Sequence, residues 1–218
     1  MENATLPKAT VDRLPLYLQF VRTVQTPMVS ATTIARNLGL GEVQVRKDLS
    51  MISREGQPKV GYPAPKLQRD LEIALGIHER IPAVIVGAGK MGTALMDYDG
   101  FEPYGIEIAA AFDNHAQQIP FKHGEMSIYA MSKLHAFCLE HEVKLGILTV
   151  PATAAQDAAD QMVASGIIAI LNFAPCHIRV PSQVTVQQMN VALALVHLNM
   201  MVSHTKEQEE LQYGKQIL

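Results

Sequence analysis

Three glycines follow a short apolar run near the middle of the chain, at the G-x-G-x-x-G spacing. Residues 83–86 are rich in β-branched side chains, Gly87, Gly89 and Gly92 follow, and helix-forming residues come after them. Gly87 suits the tight turn that leaves a strand, Gly89 lets the backbone approach a pyrophosphate, and Gly92 lets a helix lie close to the sheet. The start of that helix would bind phosphate through its free backbone N–H groups. The pattern predicts a dinucleotide site that includes Gly87, Ala88, Gly89, Lys90, Met91 and Gly92.

An acidic residue lies at the distance from these glycines that such a site requires. The apolar run 106–112 ends at Asp113, which is 21 residues after Gly92. An acid at this position accepts hydrogen bonds from the ribose hydroxyls of the adenosine. Because no arginine adjoins Asp113, the sequence favours NAD(H) over NADP(H) as the ligand.

The remainder of this half alternates strands and helices, which predicts a parallel sheet covered by helices on both faces. Further strands are expected at 126–129, 145–150, 167–171 and 184–186, and helices at 132–141 and 151–165. Ligands of such sheets bind at the carboxyl ends of the strands. The segments expected there, near the nicotinamide half of the ligand, are Thr149, Val150 and Pro151, and then Asn172, Phe173, Ala174 and Pro175.

The first eighty residues have the spacing of a helix-turn-helix. A helix is expected from Thr10 onward, a second over 31–38 and a third over about 42–53. In the pattern Ala35-x3-Gly39-x5-Val45, a small residue lets two helices approach, a glycine takes the positive φ of the turn, and a β-branched residue fills the space between the helices. The sequence predicts such a unit from about Tyr17 to Gly56, with residues 63–82, including a helix over 66–75, as a connection to the next domain.

The third helix would present cations to double-stranded DNA. Val45, Leu49 and Ile52 recur at helical spacing and predict its buried stripe, so the opposite face can reach base edges or phosphates in a major groove. The net charge of the chain is −3, so a nucleic-acid contact must come from a local patch of this kind. The segment 59–62 is expected to form a short strand or wing. The candidate DNA-binding residues are Gln44, Arg46, Lys47, Ser50, Lys59 and Tyr62.

A long apolar helix is expected at the end, over 187–212. Residues 191–202 are apolar nearly all round, and a helix without a polar face must be covered on every side. One small domain can cover only one side, which favours insertion into a second copy of the chain. We therefore expect three parts: a DNA-binding domain over 1–80, an NAD(H)-binding domain over 81–186, and a helix over 187–218 that is exchanged in a homodimer.

Several segments together resemble the Rex family of redox-sensing transcriptional repressors, over nearly the whole chain. They are Arg13-Leu14-Pro15-Leu16-Tyr17, Val45-Arg46-Lys47-Asp48-Leu49-Ser50, Val60-Gly61-Tyr62, the glycine segment, Tyr98-x-Gly100-Phe101, Phe112-Asp113, Leu148-Thr149-Val150-Pro151-Ala152, Gly166-Ile167 and Asn172-Phe173-Ala174-Pro175. The resemblance implies an α/β chain with an N-terminal winged helix-turn-helix domain, a Rossmann-like parallel sheet domain and a C-terminal domain-swapped helix. It also implies a repressor that binds palindromic operator DNA at low NADH and is released when NADH binds, with Tyr98 beside the cofactor.

The chain departs from the family pattern at three places. Gln19 stands where the family has an arginine, and Asn190 where it has an aspartate that opens the last helix. The resemblance implies that these two groups, together with the tyrosine that matches Tyr98, couple ring binding to DNA release. We therefore expect that the two positions changed together, so that neutral groups that form hydrogen bonds replace the charged pair of the family. The basic pair of the family's wing is Gln57-Pro58 here, with Lys59 next.

Two other functions remain open, a small NAD-dependent reductase and a nucleotide- or CoA-binding scaffold without redox selectivity. The pair Tyr129-x3-Lys133 resembles that of short-chain dehydrogenases, but it lies only 42 residues after Gly87, too early for that family. His115, His123 and His177 have no evident acidic partner, and the roughly 45 residues that follow the strand at 167–171 are too few for a substrate domain. A regulator rather than an enzyme is therefore expected.

The composition limits the setting in which the chain acts. The longest apolar runs are shorter than a membrane span, so we expect no membrane association. Cys138 and Cys176 are expected to be free thiols of a cytoplasmic protein, and the histidines do not gather at the spacing of metal ligands.

Overall fold

The computed structural model describes residues 6–77, 79–118 and 127–202, and it divides the chain into two compact units between Arg80 and Ile81. The first unit is helical with a small two-stranded sheet, and the second is built on a six-stranded sheet. The expected α/β class is therefore confirmed. The predicted residues His123 and Met126, and the end of the last helix, lie outside the described residues.

The first unit contains five helices and two short strands within its described residues. They are α1 (Lys8–Val11), α2 (Leu14–Thr23), β1 (Met28–Val29), α3 (Ala31–Leu38), α4 (Glu42–Ile52), β2 (Tyr62–Pro63) and α5 (Ala64–Ala74). The helix predicted from Thr10 is instead two helices. Pro15 has no N–H to donate to the carbonyl of Val11, so the backbone ladder is interrupted ahead of it.

The core of the first unit lies between α2, α3, α4 and α5. Leu18, Ile34, Leu49, Leu67 and Leu71 are fully buried. The segment predicted as a connection therefore also supplies core residues from α5, within the domain expected over 1–80. The sequence did not indicate this packing, because the apolar stripe of α5 has the same period whether the helix links two domains or packs inside one.

The strands of the second unit are all parallel and lie in the order β5-β4-β3-β6-β7-β8. They are β3 (Ile81–Val86), β4 (Ile106–Asp113), β5 (Ile128–Ala130), β6 (Leu145–Leu148), β7 (Ala169–Asn172) and β8 (Thr185–Gln188). This is a doubly wound sheet, in which the order of the strands reverses between the neighbouring strands β3 and β6. Ligands of such sheets bind outside the carboxyl ends of the strands at that point. The helices α6 (Lys90–Met96), α7 (Leu134–Glu140) and α8 (Ala152–Ala164) connect the strands.

The two faces of the sheet are covered unequally. On one face, side chains of α7 and α8 such as Leu134 and Met162 pack into the larger apolar core. On the other face, Met96 of α6 packs against Ile85 and Ile147. Beyond α6 this second face forms an open apolar groove of about 230 Å³, lined by residues that include Phe101, Leu145, Ile147, Ala169 and Leu171. Within the part of the chain that the structure describes, the expectation of helices on both faces therefore holds over β3 and β4 but is wrong over β6 to β8.

A last helix, α9, occupies residues 191–202 at the limit of the described chain. The predicted start at 187 is wrong, because residues 187 and 188 belong to β8. Asn190 caps the helix: its Oδ1 accepts a hydrogen bond from the backbone N–H of Leu193 at 3.0 Å. Every residue from 191 to 202 is exposed, including Leu195 at 63% and Val196 at 63%. Among the described residues no helix combines the length and the apolar character that a membrane span requires.

Candidate functional site

The glycine turn after β3 leaves no room for side chains at two of its three glycines. Gly87 has φ of +101°, and a Cβ there would lie 2.7 Å from Cγ1 of Val150. A Cβ on Gly92 would lie 1.9 Å from the carbonyl oxygen of Gly87, so α6 starts in direct contact with the turn. At Gly89, by contrast, none of the described atoms lies within 4 Å of an added Cβ. The two tight glycines shape the turn, and the third leaves open space for a ligand.

Thr149 holds this turn from the neighbouring strand. Its backbone N–H donates to the carbonyl of Val86 at 2.9 Å, and its hydroxyl donates to the carbonyl of Gly87 at 2.5 Å. The hydroxyl hydrogen of Thr149 is therefore used within the protein. Its role is to fix the turn rather than to donate to a ligand.

Asp113 is the last residue of β4, and its carboxylate is fixed by two backbone groups. Oδ2 accepts from the N–H of Ala88 at 2.8 Å, and Oδ1 accepts from the N–H of His115 at 2.8 Å. Its side chain is 19% exposed. Each oxygen still has a free lone pair, so the carboxylate can accept further hydrogen bonds from a ligand.

A cleft of about 370 Å³ opens beside Asp113. Val150 and Pro151 line the same cleft, although the sequence associated them with the nicotinamide half. Asp157 and Gln161 of α8 also line it, and the sequence did not indicate them. The full lining is Val86, Gly87, Phe112, Asp113, Asn114, His115, Met131, Val150, Pro151, Ala154, Asp157, Ala158 and Gln161.

Asn172 fixes the loop that follows β7. Its buried side-chain Nδ2 donates to the carbonyl of Cys176 at 2.9 Å and to Oε1 of Gln188 at 2.8 Å, and its Oδ1 accepts from the N–H of Ala174 at 2.9 Å. Gln188 in turn donates to the carbonyl of Ala174 at 2.9 Å. The amide of Asn172 is thus committed to the loop, and Gln188 is a positioning residue that the sequence did not indicate.

The residues of this loop point in different directions. The methyl group of Ala174 is buried in the larger core, on the α7 and α8 face. Phe173 packs half-buried against the α6 face, and Pro175 is exposed. Phe173 and Pro175 are therefore the members of this predicted segment whose side chains retain a surface for a ligand.

The other predicted cofactor residues lie at the surface around α6. Lys90 and Met91 are exposed in its first turn. Tyr98 follows the helix, is 57% exposed, and meets the ring of Phe101 edge to face with centroids 5.1 Å apart. A Cβ on Gly100 would lie 2.2 Å from Cζ of Tyr98, so the ring covers this glycine. Tyr98 does not line the Asp113 cleft.

In the first unit, the turn between α3 and α4 has the predicted geometry. Ser30 caps α3 by accepting from the N–H of Thr33 at 3.0 Å, and Gly39 has φ of +66°. Ala35 is 4% exposed and Val45 is fully buried between the helices. The helix-turn-helix prediction is confirmed by these positions.

The recognition helix α4 separates its residues into two faces. Val45, Asp48 and Leu49 are fully buried. Arg46 and Lys47 are exposed, and so is Ser50, whose hydroxyl donates to the carbonyl of Lys47 at 2.7 Å. Arg46 pairs with Glu42 of the same helix. The predicted cations therefore lie on the surface of the helix.

Asp48 is buried on the inner face and accepts hydrogen bonds from four side chains. Arg13 Nε lies 2.8 Å from its Oδ2, Tyr17 Oη 2.7 Å from Oδ2, Thr10 Oγ1 3.0 Å from Oδ1 and Gln44 Nε2 2.9 Å from Oδ1. Burial opposes its ionisation, but these donors, Arg13 first among them, lower the pKa of Asp48 to about 2. The predicted DNA-binding residue Gln44 thus has part of its amide engaged with the core.

The same network shifts the pKa values of the groups around Asp48. The hydrogen bond to the carboxylate raises the pKa of the Arg13 guanidinium further above its ordinary value. Burial, followed by the carboxylate, raises the pKa of Tyr17 to about 12. All three groups keep their folded-state charges over the ordinary pH range.

A second cleft, of about 620 Å³, lies between α3, α4 and the wing (residues 57–63). Arg46 and Lys59 line it, as do Ser30 and Thr32 at the start of α3. Lys59 is at the tip of the wing with φ of +64°, where Gln57 and Gly61 form a bridge. Two of the predicted cations are thus brought to one cleft.

Tyr62 also lines this cleft, but its ring is largely buried. It is 7% exposed, and a Cβ on Gly56 would lie 2.8 Å from its ring. Burial raises the pKa of Tyr62, against the opposing charge of Arg46. The ring therefore supports the wing, and little of its surface is accessible from the cleft.

Two family models match the chain, one in each unit. Residues 5–50 match the model described as "Putative DNA-binding protein N-terminus". Residues 78–176 match the model described as "CoA binding domain". The two matches cover most of the helix-turn-helix and five of the six strands of the large sheet, with its glycine turn.

Curated relatives match nearly the whole chain. The redox-sensing transcriptional repressor Rex of Treponema denticola is 38% identical, over 94% of this chain and 100% of the relative. The repressor of the same name from Pelotomaculum thermopropionicum is 37% identical, over 89% of this chain and 93% of the relative. The chain belongs to the Rex family. The resemblance that the sequence segments indicated is therefore confirmed.

Solved structures of a Rex-family repressor have the same fold. A crystal structure of RSP in complex with β-NAD+ and operator DNA has a TM-score of 0.84 at 25% identity, covering 96% of this chain and 98% of that one. RSP in complex with β-NADH has the same TM-score at 24% identity, covering 96% of this chain and 100% of that one. The order of the helical unit and the parallel sheet is thus common to this Rex-family chain and RSP.

Tyr129 and Lys133 of this Rex-family chain do not have the arrangement expected of a short-chain dehydrogenase pair. The Lys133 ammonium lies over the face of the Tyr129 ring, 5.5 Å from its centroid, rather than beside its hydroxyl. The ring itself packs against Phe112 and Phe137.

Within residues 6–77, 79–118 and 127–202, no group of three or more His, Cys, Asp or Glu side chains is placed to hold a metal ion. Cys138 and Cys176 are free thiols.

Proposed function

We propose that this chain is a transcriptional repressor that binds operator DNA when NADH is scarce and leaves it when NADH binds the second unit. The observation that carries the proposal is that one Rex-family chain combines two sites. The first unit presents Arg46, Lys47 and Lys59 around a recognition helix, and the second has a glycine turn with a fixed acid beside a cleft. A sensor requires such a pair, one site for the signal and another for the response.

The residues of the second unit fit the adenosine and pyrophosphate of NAD(H). The Asp113 carboxylate is held by two backbone N–H groups and can accept from ribose hydroxyls. The open space at Gly89 lets the backbone approach a pyrophosphate, and a Cβ would narrow it. We assign Val150 and Pro151 to the adenosine half, because they line the cleft beside Asp113. The cleft volume is in the range of small-ligand sites.

The selectivity for the reduced ligand is assigned to Phe173 and Pro175. The two redox forms differ in the ring, which is positively charged in NAD+ and neutral in NADH. An apolar wall that excludes water disfavours the charged form, and each tenfold preference requires about 1.4 kcal/mol. Phe173 and Pro175 follow the carboxyl end of β7. Dinucleotides bind across the carboxyl ends of such strands, so we expect the nicotinamide half of the ligand on this side. Tyr98, exposed after α6, is a further ring contact on this proposal.

The contact with DNA is assigned to the outward residues of α4 and to the wing. Arg46 and Lys47 are placed to meet phosphates or base edges, with Ser50 one turn further on, and Lys59 is placed to meet backbone phosphate. Replacement of Arg46 by alanine should weaken binding to all duplexes alike and reduce the salt slope of binding by about one. Fluorescence anisotropy with duplexes of two sequences at several salt concentrations measures both. An unchanged salt slope would count against the assignment.

A homodimer is the assembly that the exposed apolar surfaces favour. Helix α9 exposes Leu195, Val196 and Leu198 by more than half, and the groove beside Phe101 is apolar and open. Large apolar surfaces of this kind mark interaction sites. A second copy of the chain would cover α9, and two related recognition helices would then face a palindromic operator. A repressor of this kind acts in the cytoplasm on chromosomal DNA, without catalysis.

One titration tests the redox response. Operator binding by the full chain is measured while NADH or NAD+ is added, with an Asp113→Ala variant beside the wild type. NADH should release the operator at a concentration at least tenfold below NAD+, and the variant should need more NADH for release. Equal effects of the two ligands would contradict the redox-sensing proposal and leave a nucleotide-binding scaffold. Oxidation of NADH with a carbonyl substrate, without DNA binding, would instead identify a reductase.

A further inference from the structure

The recognition helix exposes an apolar residue that the DNA-binding residues named above do not include. Val43 is the second residue of α4, and it is 66% exposed. Exposed valines are common on protein surfaces and need no explanation when they stand alone. Val43 is different because of its neighbours on the helix surface.

Val43 lies on the outward face of α4, together with Lys47 and Ser50. Residues four and seven positions apart lie on the same face of a helix, and all three are exposed. The opposite face consists of Val45, Asp48 and Leu49, which are fully buried. A surface that receives Lys47 therefore receives Val43 as well.

The side chain next to Val43, Gln44, is also exposed, but it is tied to the core by a hydrogen bond. Gln44 donates its amide N–H to Oδ1 of Asp48 at 2.9 Å, and Asp48 is fully buried. An ionised carboxylate accepts and does not donate, so the amide nitrogen of Gln44 must be the atom that points inward. Val43 and Gln44 are both exposed at the start of α4, but only Gln44 is hydrogen-bonded to the core, so Val43 is the side chain there that keeps its whole outward surface for a partner. The N-terminal residues of a recognition helix are those that contact base edges.

We infer that Val43 reads the methyl group of a thymine in each operator half-site. Its side chain has neither a donor nor an acceptor, so it gains nothing from phosphate oxygens or from the polar base edges. The thymine C5-methyl is the apolar group that base pairs present in the major groove. The inference rests on the proposed DNA-binding function and adds to it a base that the helix distinguishes.

The test removes the methyl group from the DNA rather than only the side chain from the protein. An operator is selected with the wild-type chain from duplexes with two inverted, randomised half-sites. Each thymine is then replaced by deoxyuridine, one position of the half-site at a time, and binding is measured for wild type, Val43→Ala and Met51→Ala. Met51 is a matched control, because it is a half-exposed apolar residue at the other end of α4.

At one thymine of each half-site, the wild type should lose about fourfold in affinity on replacement by deoxyuridine, the value for one buried methyl group. Val43→Ala should bind the two duplexes equally at that position, and Met51→Ala should discriminate as the wild type does. Equal binding of thymine and deoxyuridine by the wild type at every position would overturn the inference, and so would a selected half-site without thymine. Discrimination retained by Val43→Ala would also overturn it. A wild-type chain that binds no duplex would instead contradict the proposed function.

Discussion

The two units differ in how they treat the groups that are costly to place, a buried charge in the first and exposed apolar surface in the second. The first unit encloses a full negative charge, Asp48, and satisfies it with donors from its own chain. The second unit has a largely apolar core but leaves an apolar groove and the whole surface of α9 exposed. The first unit therefore satisfies its buried charge within one chain, whereas the second has a continuous apolar surface that water does not favour.

This difference matches the tasks proposed for the two units. A recognition helix must hold its orientation against the DNA, and the network around Asp48 ties α4 to α1 and α2. A sensing unit must change its relation to a partner, and rotation of subunits about a packed interface is one of the recurring forms of such a change. Substitutions in the Asp48 network should therefore act on the stability of the first unit, and substitutions on α9 should act on the assembly of the second.

The largest effect is expected from Asp48→Asn. Arg13 would lose its anionic partner, and breaking a buried ion pair costs about 3–5 kcal/mol. Denaturant unfolding followed by a probe in the first unit measures this loss. The surface pair Lys8–Asp12 offers the control: Asp12→Asn should change the free energy of unfolding by less than about 1 kcal/mol. Similar losses for the two variants would contradict the role of the buried network.

The next effect is expected at the glycine turn, where two glycines should respond differently. Gly92→Ala puts a Cβ against the carbonyl oxygen of Gly87 and should lower the stability of the second unit by about 3 kcal/mol. Gly89→Ala meets open space, so it should leave stability nearly unchanged and weaken NADH binding. Thermal unfolding and NADH titration of both variants separate the two roles. Equal losses of stability would show that Gly89 is also a structural residue.

A charge on α9 should break the second unit's assembly without harming its fold. Leu195→Glu is free of cost in the isolated chain, because Leu195 is 63% exposed there. In a dimer that buries α9, the carboxylate should raise the dissociation constant about a hundredfold, which is about 2.7 kcal/mol. Sedimentation at several protein concentrations measures this. Leu139→Glu on α7, where the leucine is 74% exposed, is the matched control and should leave the dimer intact. Dissociation caused by both substitutions would remove the basis for assigning the interface to α9.

The smallest effect concerns pH and again distinguishes the first unit. The folded pKa of Asp48 is about 2, below its ordinary value of 3.8, so its contribution is present above pH 3.8 and is lost as the pH falls to about 2. The free energy of unfolding of the first unit should fall by about 2 kcal/mol over this window. Glu72, whose pKa is also lowered, adds to the same trend. Plotted against pH, the free energy of unfolding should fall more steeply in this window for the wild type than for Asp48→Asn. Equal slopes for the two proteins would contradict this account.

Local signals in the sequence were enough for the turns and caps. Gly39 has the positive φ expected of a helix-turn-helix glycine, and Ser30 caps α3 as its position indicated. Gly92 lies against Gly87, and Asp113 ends β4. These features depend on a few neighbouring residues, so their spacing along the chain predicts them.

Long-range partners could not be found in the same way. Asp48 accepts hydrogen bonds from Thr10 and Arg13, which lie 38 and 35 positions away. Asn172 and Gln188 fix the loop after β7 across 16 positions. The signal for Asp48 was nonetheless present, because an acid three residues after Val45 falls on the buried stripe of α4, where it requires donors.

The sequence by itself determined the family, the α/β class, the helix-turn-helix and the glycine turn with its acid, because each rests on local spacing or on side-chain period. Only the tertiary structure decided that Val150 and Pro151 share a cleft with Asp113, that Gln44 turns toward Asp48 while Val43 faces outward, and that α9 remains uncovered. These features depend on which surfaces meet when distant segments pack. The spacing of residues along the chain predicts whether a side chain is buried or exposed, but only the packing of distant segments determines which residue it contacts.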